Sequence, residues 1–189
     1  RFDHSVGVML LLKKLGADIE EQIAGLLHDA SHTAFSHTVD SVFGSEKEEK
    51  FQDNNHEEII LNSDVPKILK KYSFDVDKII KINDFLLLER KAPDLCADRV
   101  DYTLKELHNW ANPKIVPFCL KELIVYKNEI IFNSKDAAKA FGLGYVKCNA
   151  ESWSGIEPSI RVYLLANTLK IALDKKVITL KDFYEDDLH

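Results

Sequence analysis

The sequence predicts a mainly α-helical domain with a small C-terminal region that contains a β-hairpin, and three observations carry that reading. Apolar residues recur with helical period through residues 4–30. A stop signal at Gly16, followed by Asp18 and Glu21 in the spacing of a capping box, divides that stretch into two helices. Far downstream, two short apolar runs flank Lys127 and Asn128 between Glu122 and Phe132, the pattern of a hairpin.

The elements follow in order. Val6, Val8, Met9, Leu11, Leu12 and Leu15 mark one face of a first helix from His4 to Leu15. Ile19, Ile23, Ala24, Leu26 and Leu27 mark a second, returning antiparallel to about Ala30. The dense charges Glu46, Lys47, Glu48, Glu49 and Lys50 read as a solvated face or loop. Short helices are expected from His56 to Leu61 and from Val65 to Tyr72, and an amphipathic segment from Val76 to Leu88. Pro93 is placed to open a long helix running through Asp98 and Tyr102 to about Trp110, ended by Asn112 and Pro113. A last helix from Pro158 to Asp174 precedes a capped turn from Thr179 to Asp182. Residues 1–112 are thus expected to form a helical core and 113–189 an accessory α/β region packed on it, one compact unit without a Gly/Ser/Pro-rich linker.

Composition narrows the functional classes. The 189 residues, 46% hydrophobic and 30% charged, suit a single folded core and disfavour disorder. The apolar runs fall short of the roughly 20 residues of a membrane span, so no membrane partner is expected. Cys96, Cys119 and Cys148 are odd in number and widely spaced, which argues against a disulfide framework and favours a reducing, cytoplasmic setting. A net charge of -6 offers no general attraction to nucleic acid, so a phosphorylated ligand must be held by local cations or a metal. Patterned sequence begins at once at Arg1, and an upstream segment is expected to be missing.

Five of the seven histidines, His4, His28, His32, His37 and His56, lie in the first third of the chain. Two antiparallel helices of similar length joined near Gly16 bring His4 next to His28, with Asp29 beside it and His32 four residues on. A later helix can add Asp98. Two histidines and two aspartates form a mixed nitrogen and oxygen set suited to Mn, Fe, Zn or Ni and poorly matched to Ca. A cation held there leaves positions open for water and substrate, the basis of hydrolytic chemistry on phosphate. His37 reads equally as a loop residue or a site residue, while His108 and His189 receive no role.

His4, the adjacent His28-Asp29 and the downstream Asp98 resemble the H…HD…D signature of the HD-domain metal-dependent phosphohydrolases. The run from Arg1 to Val8, the run from Leu26 to His37, the His56-Glu57 pair and Asp98-Arg99-Val100-Asp101-Tyr102 resemble, in order, segments of the deoxynucleoside triphosphate triphosphohydrolase branch. The resemblance implies an HD helical fold and a divalent cation, Mn, Fe, Ni, Zn or Mg, ligated by His4, His28, Asp29 and Asp98. It further implies a catalytic His32 supported by His56 and Glu57, phosphate contacts from Arg1 and Arg99, and sugar-side contacts from Tyr102 and Glu106. The substrate it implies is a small phosphorylated molecule of the nucleotide class, with a homo-oligomer as the family tendency. Ala30-Ser31 departs from the branch pattern, and no basic cluster after Tyr102 matches a triphosphate site, so a monophosphatase or phosphodiesterase stays open. So does a nucleotide-binding regulatory module without turnover. By the same resemblance His32 and His56 could ligate a second cation.

Overall fold

A computed structural model describes residues 1–43 and 53–185. The charge-dense residues 46–50 and His189 lie outside them. In chain order the helices are α1 (Phe2–Leu15), α2 (Ile19–Leu27), α3 (Thr38–Phe43), α4 (Asp53–Leu61), α5 (Val65–Lys71), α6 (Val76–Ile79) and α7 (Ala97–Glu106). They continue with α8 (Ile115–Glu122), the strands β1 (Leu123–Tyr126) and β2 (Glu129–Phe132), then α9 (Lys135–Cys148) and α10 (Ile156–Asp174). The fold is mainly α with one small antiparallel sheet, as the sequence predicts. Among the described residues no helix is long and apolar enough to cross a membrane.

The chain divides into two compact units, but not after residue 112. One unit joins Arg1–Asp29 to Pro66–Ser152, and the other joins Ala30–Val65 to Trp153–His189. The β-hairpin and α9 therefore belong with α1, α2 and α7, because Leu123, Ile130 and Phe141 are buried there. The sequence reading missed α8 and α9, the latter opened by Ser134, whose side chain accepts from the Ala137 amide.

In the first unit Gly16 ends α1 in the left-handed conformation, φ 82°, which a residue without Cβ adopts freely. Asp18 caps α2 by accepting from the Glu21 amide at 2.8 Å. The two helices pack closely at Gly25, where an added Cβ would overlap Leu12 Cδ1. The hairpin turn is Lys127-Asn128, φ 50° and 60°, as a two-residue connection with right-handed strand twist requires.

The capping box expected at Asp18 and Glu21 is only half formed. Instead of turning back to the cap, the Glu21 carboxylate is buried and accepts from the amides of Leu87 and Leu88 at 2.7 and 3.0 Å. The buried Leu87 amide needs an acceptor, which the inward carboxylate supplies, while the Leu88 amide is shared with the Phe85 carbonyl at 3.1 Å. The Val76–Leu88 segment is accordingly broken into α6, a 3-10 turn at Ile82–Asp84 and a tight turn, not one amphipathic helix. The carbonyls of Leu87 and Leu88 in turn accept from the amides of Ala97 and Asp98 at 2.7 and 3.4 Å. Hence α7 starts at Ala97 rather than at Pro93, and after Glu106 it passes into a π-helical segment, Leu107–Ala111. Glu21, through residues 87 and 88, fixes where the first turn of α7 presents Asp98.

The second unit closes around Val39, Val42, Ala166, Leu169 and Phe183, with Phe35 stacked edge-on against Phe183 at 5.2 Å between ring centroids. Its Thr179–Asp182 capping box forms as expected.

Glu21→Ala is expected to lower stability by about 1–3 kcal/mol, the cost of stranding the buried Leu87 amide, read as the midpoint shift in urea unfolding. An unchanged midpoint would show that the turn does not depend on this carboxylate.

Candidate metal centre

Three helix ends in the first unit meet at one place. The N-terminal turn of α1 supplies His4, the C-terminal cap of α2 supplies His28 followed by Asp29, and the first turn of α7 supplies Asp98. His4 Nε2 lies 2.8 Å from Asp98 Oδ1 and 3.8 Å from Asp29 Oδ2. His28 Nε2 lies 3.5 Å from Asp29 Oδ1 and 3.6 Å from Asp98 Oδ1. His4, His28 and Asp29 offer ligand atoms that all lie within 4.8 Å of one another, and Asp98 Oδ1 stands within 3.6 Å of both imidazoles, close to the roughly 3–3.5 Å between ligand atoms held about 2.1 Å from a common centre.

Two orientations support the fit. His28 Nδ1–H donates to the Gly25 carbonyl at 2.8 Å, which turns Nε2 toward the two aspartates. That Nε2 is buried, and the nearest carboxylate oxygens stand beyond hydrogen-bond length, leaving it with no hydrogen-bond partner. Burying a polar nitrogen in this way is costly, and an electrophile on it removes the cost. The residues therefore fit a divalent cation.

The electrostatics agree. Burial opposes a proton on His4, but the carboxylates of Asp101 and Asp98 outweigh it and raise its pKa to about 9. On His28 burial again opposes the proton, and Asp98 and Asp29 outweigh it, so its pKa is raised too. Burial pushes Asp98 upward, but His28 and His4 overcome that and hold its carboxyl far below the usual range. Packed carboxylates thus demand positive charge, which imidazolium protons supply without metal and a divalent cation supplies with it.

The other predicted residues are placed as follows. Arg1 donates from Nη1 to Asp29 Oδ2 at 3.0 Å. The Arg99 guanidinium is spent on the carbonyls of Asp94 and Arg90, at 2.5 and 3.2 Å, and on Cys96 Sγ at 3.3 Å, so it ties the loop before α7. Tyr102 is hydrogen-bonded to Tyr145, and half-buried Glu106 lies one turn on. His32, His56 and Glu57 belong to the second unit. Because α2 ends at Leu27, His32 follows the helix rather than continuing its face; its ring stands edge-on to His37 at 5.3 Å. His56 is buried on α4 while Glu57 is exposed, since consecutive helical side chains point about 100° apart.

Two carboxylates were not singled out from sequence. Asp101 Oδ2 receives His4 Nδ1–H at 2.7 Å, and its signal was available: it lies three residues after Asp98 on the same face of α7. Glu89, whose pKa is raised by burial and by Asp98, groups with Cys96 and Asp98, and only the turn before α7 brings it there.

Residues 1–104 match the HD domain family. The chain is 41% identical over 193 residues to the uncharacterized protein YdhJ of Bacillus subtilis, covering 99% of this chain and 58% of that protein. It is 36% identical over 106 residues to the metal-dependent phosphohydrolase cns2 of Cordyceps militaris, covering 56% of this chain and 30% of that protein. The chain therefore spans little more than half the length of the first relative and a third or less of the second. A crystal structure of a hypothetical protein from Aquifex aeolicus shares the fold, with a TM-score of 0.70 over 97% of this chain and 55% of that chain at 21% identity.

In the metal-free protein His4 binds its proton more tightly folded, about 9, than unfolded, 6.5. Its stabilisation is complete below pH 6.5 and lost as pH rises toward about 9. Urea unfolding in chelator should show stability falling across that window, and a flat profile would count against the packed carboxylates around His4.

Proposed function

Because the chain belongs to the HD-domain family, we propose that it is a divalent-metal-dependent phosphohydrolase whose cation is held by His4, His28, Asp29 and Asp98. The observation that carries the reading is the buried His28 Nε2, without a hydrogen-bond partner and 3.5 and 3.6 Å from the carboxylates of Asp29 and Asp98. The similarity to cns2, named as a metal-dependent phosphohydrolase, supports the same activity.

A divalent cation bound by these residues would supply Lewis-acid polarisation of a phosphoryl oxygen and a lowered pKa for water. The chain's own groups supply orientation and charge. Gly25 holds the His28 ring through Nδ1–H. Arg1 spends one of its five donors on Asp29, leaving the rest of its fork for a substrate phosphate oxygen. Arg99 acts at one remove, by fixing the loop that leads into α7. His32 is the proposed proton donor to the leaving oxygen, with His56 and Glu57 in support, a role carried by their place in the sequence pattern.

The proposed substrate is a nucleotide, with Tyr102 and Glu106 toward its sugar; a deoxynucleoside triphosphate is one form, and a monophosphate or phosphodiester is the other. A reducing, cytoplasmic setting belongs to the same reading, supported by the unpaired, buried thiols of Cys96, Cys119 and Cys148.

Metal content by plasma mass spectrometry, with release of phosphate, pyrophosphate or triphosphate from nucleotides, tests the proposal. Asp29→Ala and Asp98→Ala should each lose most of the metal and all release, whereas His32→Ala should keep the metal and lose release. A His32 variant with normal turnover overturns its proton role. Metal without release from any phosphoester moves the function to a binding module, and no metal in the unsubstituted protein overturns the reading.

A further inference from the structure

Behind His4, on the side of its ring away from the cation-binding residues, stands a second set of polar groups. His4 presents Nε2 to Asp98 and Asp29 and Nδ1 to Asp101 Oδ2, 2.7 Å away. The same Asp101 oxygen receives Lys105 Nζ at 2.7 Å, and Lys105 Nζ also donates to the Asp3 carbonyl at 2.7 Å. Asp101 and Lys105 are one turn apart on α7, and Asp3 precedes His4 on α1, so the lysine links the two helices beside the histidine.

The approach of α7 to α1 at this level depends on Gly7. A Cβ at Gly7 would overlap Asp101 Oδ1 and come within 2.8 Å of Lys105 Nζ. Gly7 has no φ outside the range open to other residues, and helix interiors disfavour glycine by about 1 kcal/mol relative to alanine. What the position requires is the missing side chain. The notch it leaves on α1 admits the Asp101 carboxylate to His4.

We infer that Asp101 is the positioning residue of the cation site: its carboxylate, admitted by Gly7 and held by Lys105, fixes the His4 ring with Nδ1–H outward and Nε2 toward the metal. The inference rests on the metal-binding reading above and extends it to residues that do not touch the cation. A carboxylate behind a ligating imidazole sets its tautomer, restricts its rotation and raises the basicity of the ligating nitrogen. Removing such a partner typically costs about tenfold to a hundredfold in metal affinity.

The test measures zinc affinity by competition with a chromophoric chelator for the unsubstituted protein, Asp101→Asn and Gly7→Ala. It is joined to long-range proton–nitrogen NMR of the zinc-loaded unsubstituted protein, with the His4 signals assigned by their loss in His4→Ala. Both variants should weaken zinc binding by about tenfold to a hundredfold, Gly7→Ala by displacing a carboxylate it does not remove. His4 should show its proton on Nδ1. Circular dichroism and thermal unfolding in chelator check that the variants fold; if either does not, the NMR result decides. An unprotonated Nδ1 on His4 in the zinc-loaded protein, or unchanged affinity in both folded variants, overturns the positioning role and leaves the metal reading standing. Failure of the unsubstituted protein to bind zinc, manganese, iron or nickel overturns the metal reading itself.

Discussion

Three aspartate carboxylates packed against two imidazoles set the terms for the first unit. Asp29, Asp98 and Asp101 surround His4 and His28 within hydrogen-bond or near-contact distance, and Arg1 and Lys105 close the outer sides. Like charges at this density repel unless positive charge lies among them. The imidazole protons answer that need in the metal-free chain, and a divalent cation at the proposed site would answer it with charge to spare for a phosphate. Every helix that contributes must therefore arrive with its end, and not its flank, at the same point.

The backbone arrangement follows from that requirement. Gly16 reverses the chain so that the start of α1 and the end of α2 become neighbours. Gly25 and Gly7 remove side chains where α2 and α7 press closest on α1. Glu21 reaches from α2 to the amides of Leu87 and Leu88, whose carbonyls receive the first amides of α7. A carboxylate far from the proposed cation site thus helps set the height at which Asp98 is presented, and its burial supplies the acceptor that the Leu87 amide needs.

The family assignment and the geometry bear on different questions. The match to the HD-domain family covers residues 1–104, and His4, His28, Asp29 and Asp98 all lie within that span. The chain spans only part of these relatives' length, 58% of YdhJ and 30% of cns2 being matched. What the geometry adds is the supporting frame: Gly25 behind His28 and Asp101 behind His4 hold the two imidazoles from outside the ligand set.

Local chemistry was legible in the sequence wherever a residue acts through its immediate neighbours. Gly16 stopping α1, Asp18 capping α2, Lys127-Asn128 turning the hairpin and the Thr179–Asp182 box all form as read, because backbone torsion and short-range hydrogen bonds decide them. The order His4, His28-Asp29, Asp98 was legible through its resemblance to the HD signature, although periodicity did not fix the helix ends that carry it, α2 stopping at Leu27 and α7 starting at Ala97. Tertiary packing decided what involved partners distant along the chain. Glu21 left its capping box for Leu87 and Leu88, α7 began at Ala97 instead of Pro93, Arg99 turned to the loop carbonyls, and Asp101 took its place behind His4. Of these only Asp101 left a sequence signal, its place three residues after Asp98; for the rest, a buried donor or carboxylate takes whichever partner the fold brings within about 3 Å, and sequence spacing does not encode that distance.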